Sequence, residues 1–227
     1  MNGTMVEFAA HGGTANGYLS LPPRGHGPGL LVLQEWWGLV DHIKDVTDRC
    51  AAAGSVALAP DLYRGESATH PDDAQRLLMA LDIAETARAL RGGAEYLRAH
   101  SAVRPQRVGA MGFCMGGQLA LYAATAHPDV VDAVVDFYGI FNAKVPVDIS
   151  ALRAPVQGHF GAHDKSASPD KARALMAEVA ATGVACELYE YDAGHAFFND
   201  TRPTVYNAAA ASLAWDRTMT FLHKTLV

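Results

Sequence analysis

Charge is scarce in this chain. Asp, Glu, Lys and Arg together make up 19% of its 227 residues, and the balance is acidic, with a formal net charge of −6. No cluster of Lys or Arg forms a stripe that would track phosphates, so nucleic acid and anionic membranes are poor partners. Cysteine is sparse too. The three, Cys50, Cys114 and Cys186, are far apart, odd in number and form no CxxC. That excludes a disulfide framework and a cysteine metal site, and it favours a reducing, cytoplasmic setting. No apolar run reaches the length of a membrane span. Met1 to Gly13 lacks a basic segment followed by an apolar one, so no signal peptide is expected.

Apolar residues are plentiful, at 50%. A chain of this length fits one α/β domain, residues 1–227, whose core needs no disulfide or metal staple. Apolar runs alternate with helical patterns. Val6 to Ala9 and Asn16 to Leu21 read as strands joined by a Gly12-Gly13 turn. Leu30 to Gln34, Val56 to Ala59, Arg107 to Met111, Ala133 to Tyr138, Pro155 to Phe160 and Cys186 to Tyr191 read as further strands, several of them buried on both faces. Helical spacing fills Asp41 to Ala53, Asp72 to His100 with a break or bend expected at Gly92-Gly93, Gly117 to His127, Ser168 to Thr182, and Thr204 to Thr225. Cys50 and Cys186 read as small core residues. The rhythm predicts a mostly parallel central sheet with helices on both faces, and such sheets bind ligands beyond the carboxyl ends of their strands.

Gly112-Phe113-Cys114-Met115-Gly116-Gly117 lies between a predicted strand and a predicted helix. A nucleophile on such a turn must project above the sheet, and flanking glycines remove the side chains that would collide there. The helix N-terminus aims free N–H groups at the same place, which favours a thiolate and later an oxyanion, with the Met115 N–H as a donor. The pattern is also that of a plain tight turn. A nucleotide-binding loop fits poorly, since neither GxGxxG nor a P-loop Lys is present. Hydrolytic turns of this form take an acid and then a histidine from later strand ends. Asp164, in Phe160 to Asp164, and His195, in Asp192 to His195, occupy those places. His195 would accept the thiol proton, and Asp164 would fix the imidazole tautomer. His163 is the rival histidine and more commonly a loop-shaping residue. Asp192 is an alternative acid, and Asp170 reads as a helix cap.

Taken together, these residues resemble the dienelactone hydrolase family over nearly the whole chain. The resemblance rests on Gln34-Glu35-Trp36-Trp37-Gly38, Pro60-Asp61-Leu62-Tyr63, the cysteine elbow, Gly161 to Asp164, and Ala193 to Phe197. It implies an α/β-hydrolase fold and hydrolysis of an ester or lactone, of the carboxymethylenebutenolidase type, through a Cys-His-Asp triad. It implies no metal and no organic cofactor. Glu35 takes the position of a glutamate that meets the resting thiol and helps to generate the thiolate; it also reads as a rim charge or a structural acceptor. The Trp36 N–H would be the second oxyanion donor. The partner expected is a small ester or lactone, on a monomer or weak homo-oligomer.

Members that cleave dienelactone grip its carboxylate with arginines. Here the position four residues after His195 is Asn199, and the other falls near the non-basic Pro71. Arg64, Arg76 and Arg202 are candidate substitutes, though each also reads as a surface charge. Trp37, Tyr63, Tyr138, Phe197 and Asn199 are expected around the substrate, with Trp36, Phe113 and Phe160 as further aromatics that either line the pocket or pack in the core. The alternatives are a general carboxylesterase or thioesterase, or a non-catalytic binding protein of the same fold.

Overall fold

The computed structural model describes residues 2–139 and 142–227; Met1, Ile140 and Phe141 lie outside the described residues. Its strands are β1 (Thr4–Ala9), β2 (Thr14–Ser20), β3 (Gly27–Leu33), β4 (Val56–Pro60), β5 (Val103–Phe113), β6 (Ala133–Phe137), β7 (Val156–Gly161) and β8 (Cys186–Tyr191). They form one sheet in the order β1-β2-β4-β3-β5-β6-β7-β8. The pairings β1 with β2 and β2 with β4 are antiparallel, and the remaining ones are parallel. This is the mostly parallel α/β sheet that the strand–helix rhythm predicts. From β3 the chain first winds outward to β4, then returns to β5 on β3's other side. That reversal opens a crevice at the carboxyl ends of β3 and β5, where ligands of such sheets bind.

The helices are α1 (Asp41–Ala52), α2 (Pro71–Ala80), α3 (Ile83–Ala99), α4 (Met115–Ala126), α5 (Pro169–Ala181) and α6 (Ala208–Leu226). Alternation along the central strands divides the core in two. Leu31 and Leu33 of β3 face Leu90 and Leu97 of α3 and Leu119 of α4. Leu30 and Val32 face the other way, among Ile43, Val46 and Cys50 of α1 and Leu222 and Leu226 of α6. All seven residues of β3 are buried, as a strand covered on both faces requires. Among the described residues no helix is long and apolar enough to cross a membrane.

Several expected boundaries move. The helical stretch after β4 breaks at Leu81-Asp82 rather than at Gly92-Gly93. Asp82 caps α3 by accepting the Glu85 N–H at 2.9 Å. Both glycines lie inside α3. A Cβ on Gly92 would sit 2.1 Å from the Ala9 carbonyl, so its role is close approach to β1 and not helix breaking. β5 starts at Val103, ahead of Arg107, and α4 starts at Met115, ahead of Gly117. α6 begins at Ala208 instead of Thr204, because Asn207 caps it by accepting the Ala210 N–H at 3.1 Å. Asp170 lies in the first turn of α5, where its charge suits the helix dipole, but the cap position is Ser168.

Candidate active site

Cys114 is the single residue between β5 and α4, and it is held at φ 55°, ψ −118°. A left-handed φ on a residue with a side chain is strained, and the surroundings enforce it. Its N–H donates to the Phe137 carbonyl at 2.9 Å. A Cβ on Gly112 would lie 1.9 Å from the Gly116 carbonyl oxygen, and one on Gly116 would lie 2.4 Å from that of Leu33. Backbone therefore occupies the space where side chains would stand, which is the physical reason for glycine at both positions. Met115 opens α4, so its N–H has no carbonyl one turn back to bond, and it faces the Cys114 sulfur.

The loops after β7 and β8 supply the acid and the imidazole. His195 Nδ1 and Asp164 Oδ2 are 2.7 Å apart. The other carboxylate oxygen of Asp164 accepts the N–H groups of Ser166 at 2.7 Å and Ala167 at 2.9 Å. Burial works to raise the Asp164 carboxyl, but His195 and the two amides outweigh it and hold the group below its ordinary value. With Nδ1–H committed to Asp164, the other ring nitrogen is the one left as an acceptor. The rivals lie elsewhere: His163 and Asp192 are paired with each other at 2.6 Å on the exposed surface.

Glu35 follows β3 and is buried. Burial pushes its carboxyl above the ordinary range, while the Asn199 hydrogen bond, His195 and Arg202 oppose that shift. Asn199 Nδ2 donates to Glu35 Oε2 at 2.6 Å. The Tyr138 hydroxyl faces the same carboxyl without closing a hydrogen bond of good geometry. Burial, and next the Glu35 carboxylate, push the Cys114 thiol well up; the Met115 N–H acts in the opposite direction. Desolvation and like charge thus keep the resting thiol protonated.

A cavity of about 430 Å³ gathers Cys114, His195, Glu35, Trp36, Trp37 and Met115. Its outer wall is apolar, with Leu78 of α2, Leu81 and Ile83. That wall is lightly anchored, since α2 buries only Ala74 and Leu77. A larger cavity of about 610 Å³ lies between the β1–β2 turn, α2 and α3, and holds none of the cysteine, histidine or aspartate just described.

Of the residues expected around a substrate, Trp36 and Trp37 line the smaller cavity. Tyr63 borders the larger one instead and places its hydroxyl 3.5 Å from the Met115 sulfur. Tyr138 and Phe197 are fully buried behind the cavity, where the Tyr138 ring stands edge-on to the His195 ring at 5.1 Å. Phe113 and Phe160 are core residues, Phe113 stacking on Phe137 at 4.8 Å. Asn199 holds Glu35 rather than facing the cavity. Among the candidate arginines, Arg64 pairs with Glu85 and Arg76 with Glu66 at 3.4 Å. Arg202 alone of the three reaches the cavity, its guanidinium 4.6 Å over the Trp37 ring. Lys144, Gln118 and Ser166 also line the cavity and were not expected. Gln118 is the one with a sequence signal, lying one helical turn after Cys114 on the same face.

Comparison with known proteins agrees with this arrangement. A model of the dienelactone hydrolase family matches residues 15–226. The chain is 34% identical to Protein usf of Aquifex pyrophilus, over 99% of both chains. It is 33% identical to an Aquifex aeolicus protein named as a carboxymethylenebutenolidase, covering 96% of this chain and 97% of that one. The crystal structure of a Klebsiella pneumoniae protein described as a dienelactone hydrolase superposes with a TM-score of 0.83 at 27% identity, over 97% of this chain and 98% of the other. With its sheet, its strained cysteine elbow and these relatives, the chain belongs to the dienelactone hydrolase family, a hydrolase of the α/β-hydrolase superfamily.

Proposed function

We propose that this protein hydrolyses a small carboxylic ester or lactone through a covalent thioester on Cys114, as one α/β domain. The observation that carries the reading is the His195–Asp164 pair at 2.7 Å opening onto the same cavity as the elbow thiol. The free imidazole nitrogen takes the thiol proton, and the sulfur attacks the ester carbonyl carbon. The N–H groups of Met115 and Trp36 stabilise the resulting oxyanion. His195 then protonates the departing alkoxide, which for a lactone stays tethered in the acyl chain. Water, deprotonated by His195, attacks the thioester; the acid leaves and the thiol is restored.

Burial first and then Glu35 keep the resting thiol neutral. A thiolate and a carboxylate packed together repel, so the pair retains a proton until substrate enters. The apolar wall suits a compact hydrocarbon acyl group, and Arg202 offers a charge partner to a substrate carboxylate.

A p-nitrophenyl ester assay before and after thiol alkylation, with Cys114→Ala alongside, tests the reading. Wild type should turn over and lose activity on alkylation, and the variant should be inactive. Full activity in Cys114→Ala would remove the cysteine from the mechanism. Inactivity of wild type across a broad ester and lactone panel would remove the hydrolytic reading for this site.

A further inference from the structure

The neighbours of Glu35 contain a device that the triad does not use. Asn199 Nδ2 donates to Glu35 Oε2 at 2.6 Å, and both side chains are buried. A buried amide can in principle present either end to a carboxyl. Here the choice is fixed. Asn199 Oδ1 accepts the Thr201 N–H at 3.2 Å and the Thr201 hydroxyl at 2.7 Å, so only the NH₂ end is left for Glu35.

The backbone of this turn is clamped as well. The neighbouring Asp200 carboxylate lies 3.3 Å from the buried His42 Nδ1 and 3.5 Å from Arg49, both on α1. The Arg49 guanidinium in turn lies over the rings of Phe198 and Trp215, at 5.1 Å and 4.8 Å. The amide is therefore held from below by the helix layer and oriented from the side by Thr201. Asn199 does not line the cavity, so its effect on chemistry must pass through Glu35.

We propose that Asn199, its amide polarity fixed by Thr201, is the positioning residue that holds the Glu35 carboxyl beside the Cys114 thiol and sets the pH at which that thiol becomes reactive. A neutral donor suits this task. It stabilises an ionised Glu35 by a hydrogen bond without supplying the full charge that would lock the carboxylate in place. The other groups facing Glu35 come from separate elements: Tyr138 after β6, His195 after β8, and Arg202 beyond it. Facing the thiol are Glu35, Asp164 after β7, Asp136 in β6, Tyr138 after β6 and Tyr63 after β4. Of these, only Arg202 adjoins Thr201 in the chain.

The proposal rests on the pairing of Glu35 with Cys114 proposed above, and the test separates the two. The rate of Cys114 alkylation by iodoacetamide is followed against pH in the full-length protein. Wild type should show an inflection where the shared proton leaves the Glu35–Cys114 pair. Glu35→Gln should move it to lower pH, because the carboxylate that pushes the thiol up is gone. Asn199→Ala withdraws the donor from the ionised carboxylate, so the inflection should move to higher pH, by about one to two units for a hydrogen bond to a charged group. Thr201→Val, at an exposed position, removes the 2.7 Å hydroxyl bond and leaves the longer 3.2 Å N–H bond, so the amide is held less firmly and the inflection should shift the same way by a smaller amount. If Glu35→Gln changes the profile while Asn199→Ala and Thr201→Val both superimpose on wild type, the assignment of Asn199 is overturned and the pairing stands. If Glu35→Gln itself superimposes on wild type, the pairing fails and the proposal fails with it. Should Asn199→Ala not fold, Thr201→Val decides alone.

Discussion

Replacing Asp136 with asparagine should make the protein more stable than wild type at alkaline pH, by a margin that shrinks on acidification. Asp136 lies in the fully buried β6. One carboxylate oxygen accepts the Gly139 N–H at 2.8 Å, and the other has no hydrogen-bond partner among the described residues. Burial pushes the carboxyl up from 3.8 to about 7, opposed only in part by the Gly139 N–H. The folded protein therefore keeps a proton that the unfolded chain releases near pH 4. Between those two values the folded state binds more protons, so its stability falls as pH rises, and above pH 7 this contribution is flat. At about 1.4 kcal/mol per unit, the wild type should lose about 3 kcal/mol relative to Asp136→Asn between pH 5 and pH 8. For a domain of this size that corresponds to roughly 6–12 °C in the difference of melting temperatures. Asp164 and Asp129, which are held below their ordinary values, contribute in the opposite sense, but both proteins share them and they cancel in the difference. Paired melts at the two pH values, followed by circular dichroism, measure it. An equal gap between the two proteins at pH 5 and pH 8 would refute the reasoning, because Asp136 would then titrate alike in the folded and unfolded chains.

Two further outcomes follow from the site. Asp164→Asn should keep its fold, since an amide oxygen can still accept the Ser166 and Ala167 N–H groups, yet lower kcat by about 10³–10⁴-fold through loss of the imidazole's tautomer and charge partner; steady-state kinetics beside a thermal melt separate the two effects. Arg202→Ala should raise KM for an ester carrying a free carboxylate by about tenfold and leave the matching neutral ester unchanged, and an equal change for both esters would show that the guanidinium serves only to pack on Trp37.

Local geometry was legible in the sequence wherever the backbone forces a residue type. Glycines at 112 and 116 are required by carbonyl oxygens lying within 2.4 Å of where a Cβ would go, and a requirement that strict leaves a visible pattern around Cys114. The order of Asp164 and His195 is a property of the winding and could be read for the same reason. The break before α3 also has a signal, since Asp82 followed by Glu85 is a helix start, whereas Gly92-Gly93 answers to the close approach of β1. What stayed hidden depends on which way a side chain turns once the elements are packed. Tyr138 and Phe197 are as aromatic as Trp37, and only the fold places one set behind the cavity and the other on its wall. Asn199 offers no sequence clue that its amide meets a carboxylate 164 positions earlier.

The light anchoring of α2 has a consequence for how such an enzyme changes. The floor of the cavity includes the elbow, where backbone carbonyls fill the space beside Gly112 and Gly116, so a larger residue at either position would displace the backbone. The outer wall at Gln75 and Leu78 belongs to a helix that buries only two of its ten residues. Variation can accumulate there at little cost to folding, and each change reshapes the cavity's outer wall. The elbow and the outer wall thus answer to separate constraints, and the second can drift while the first stays fixed.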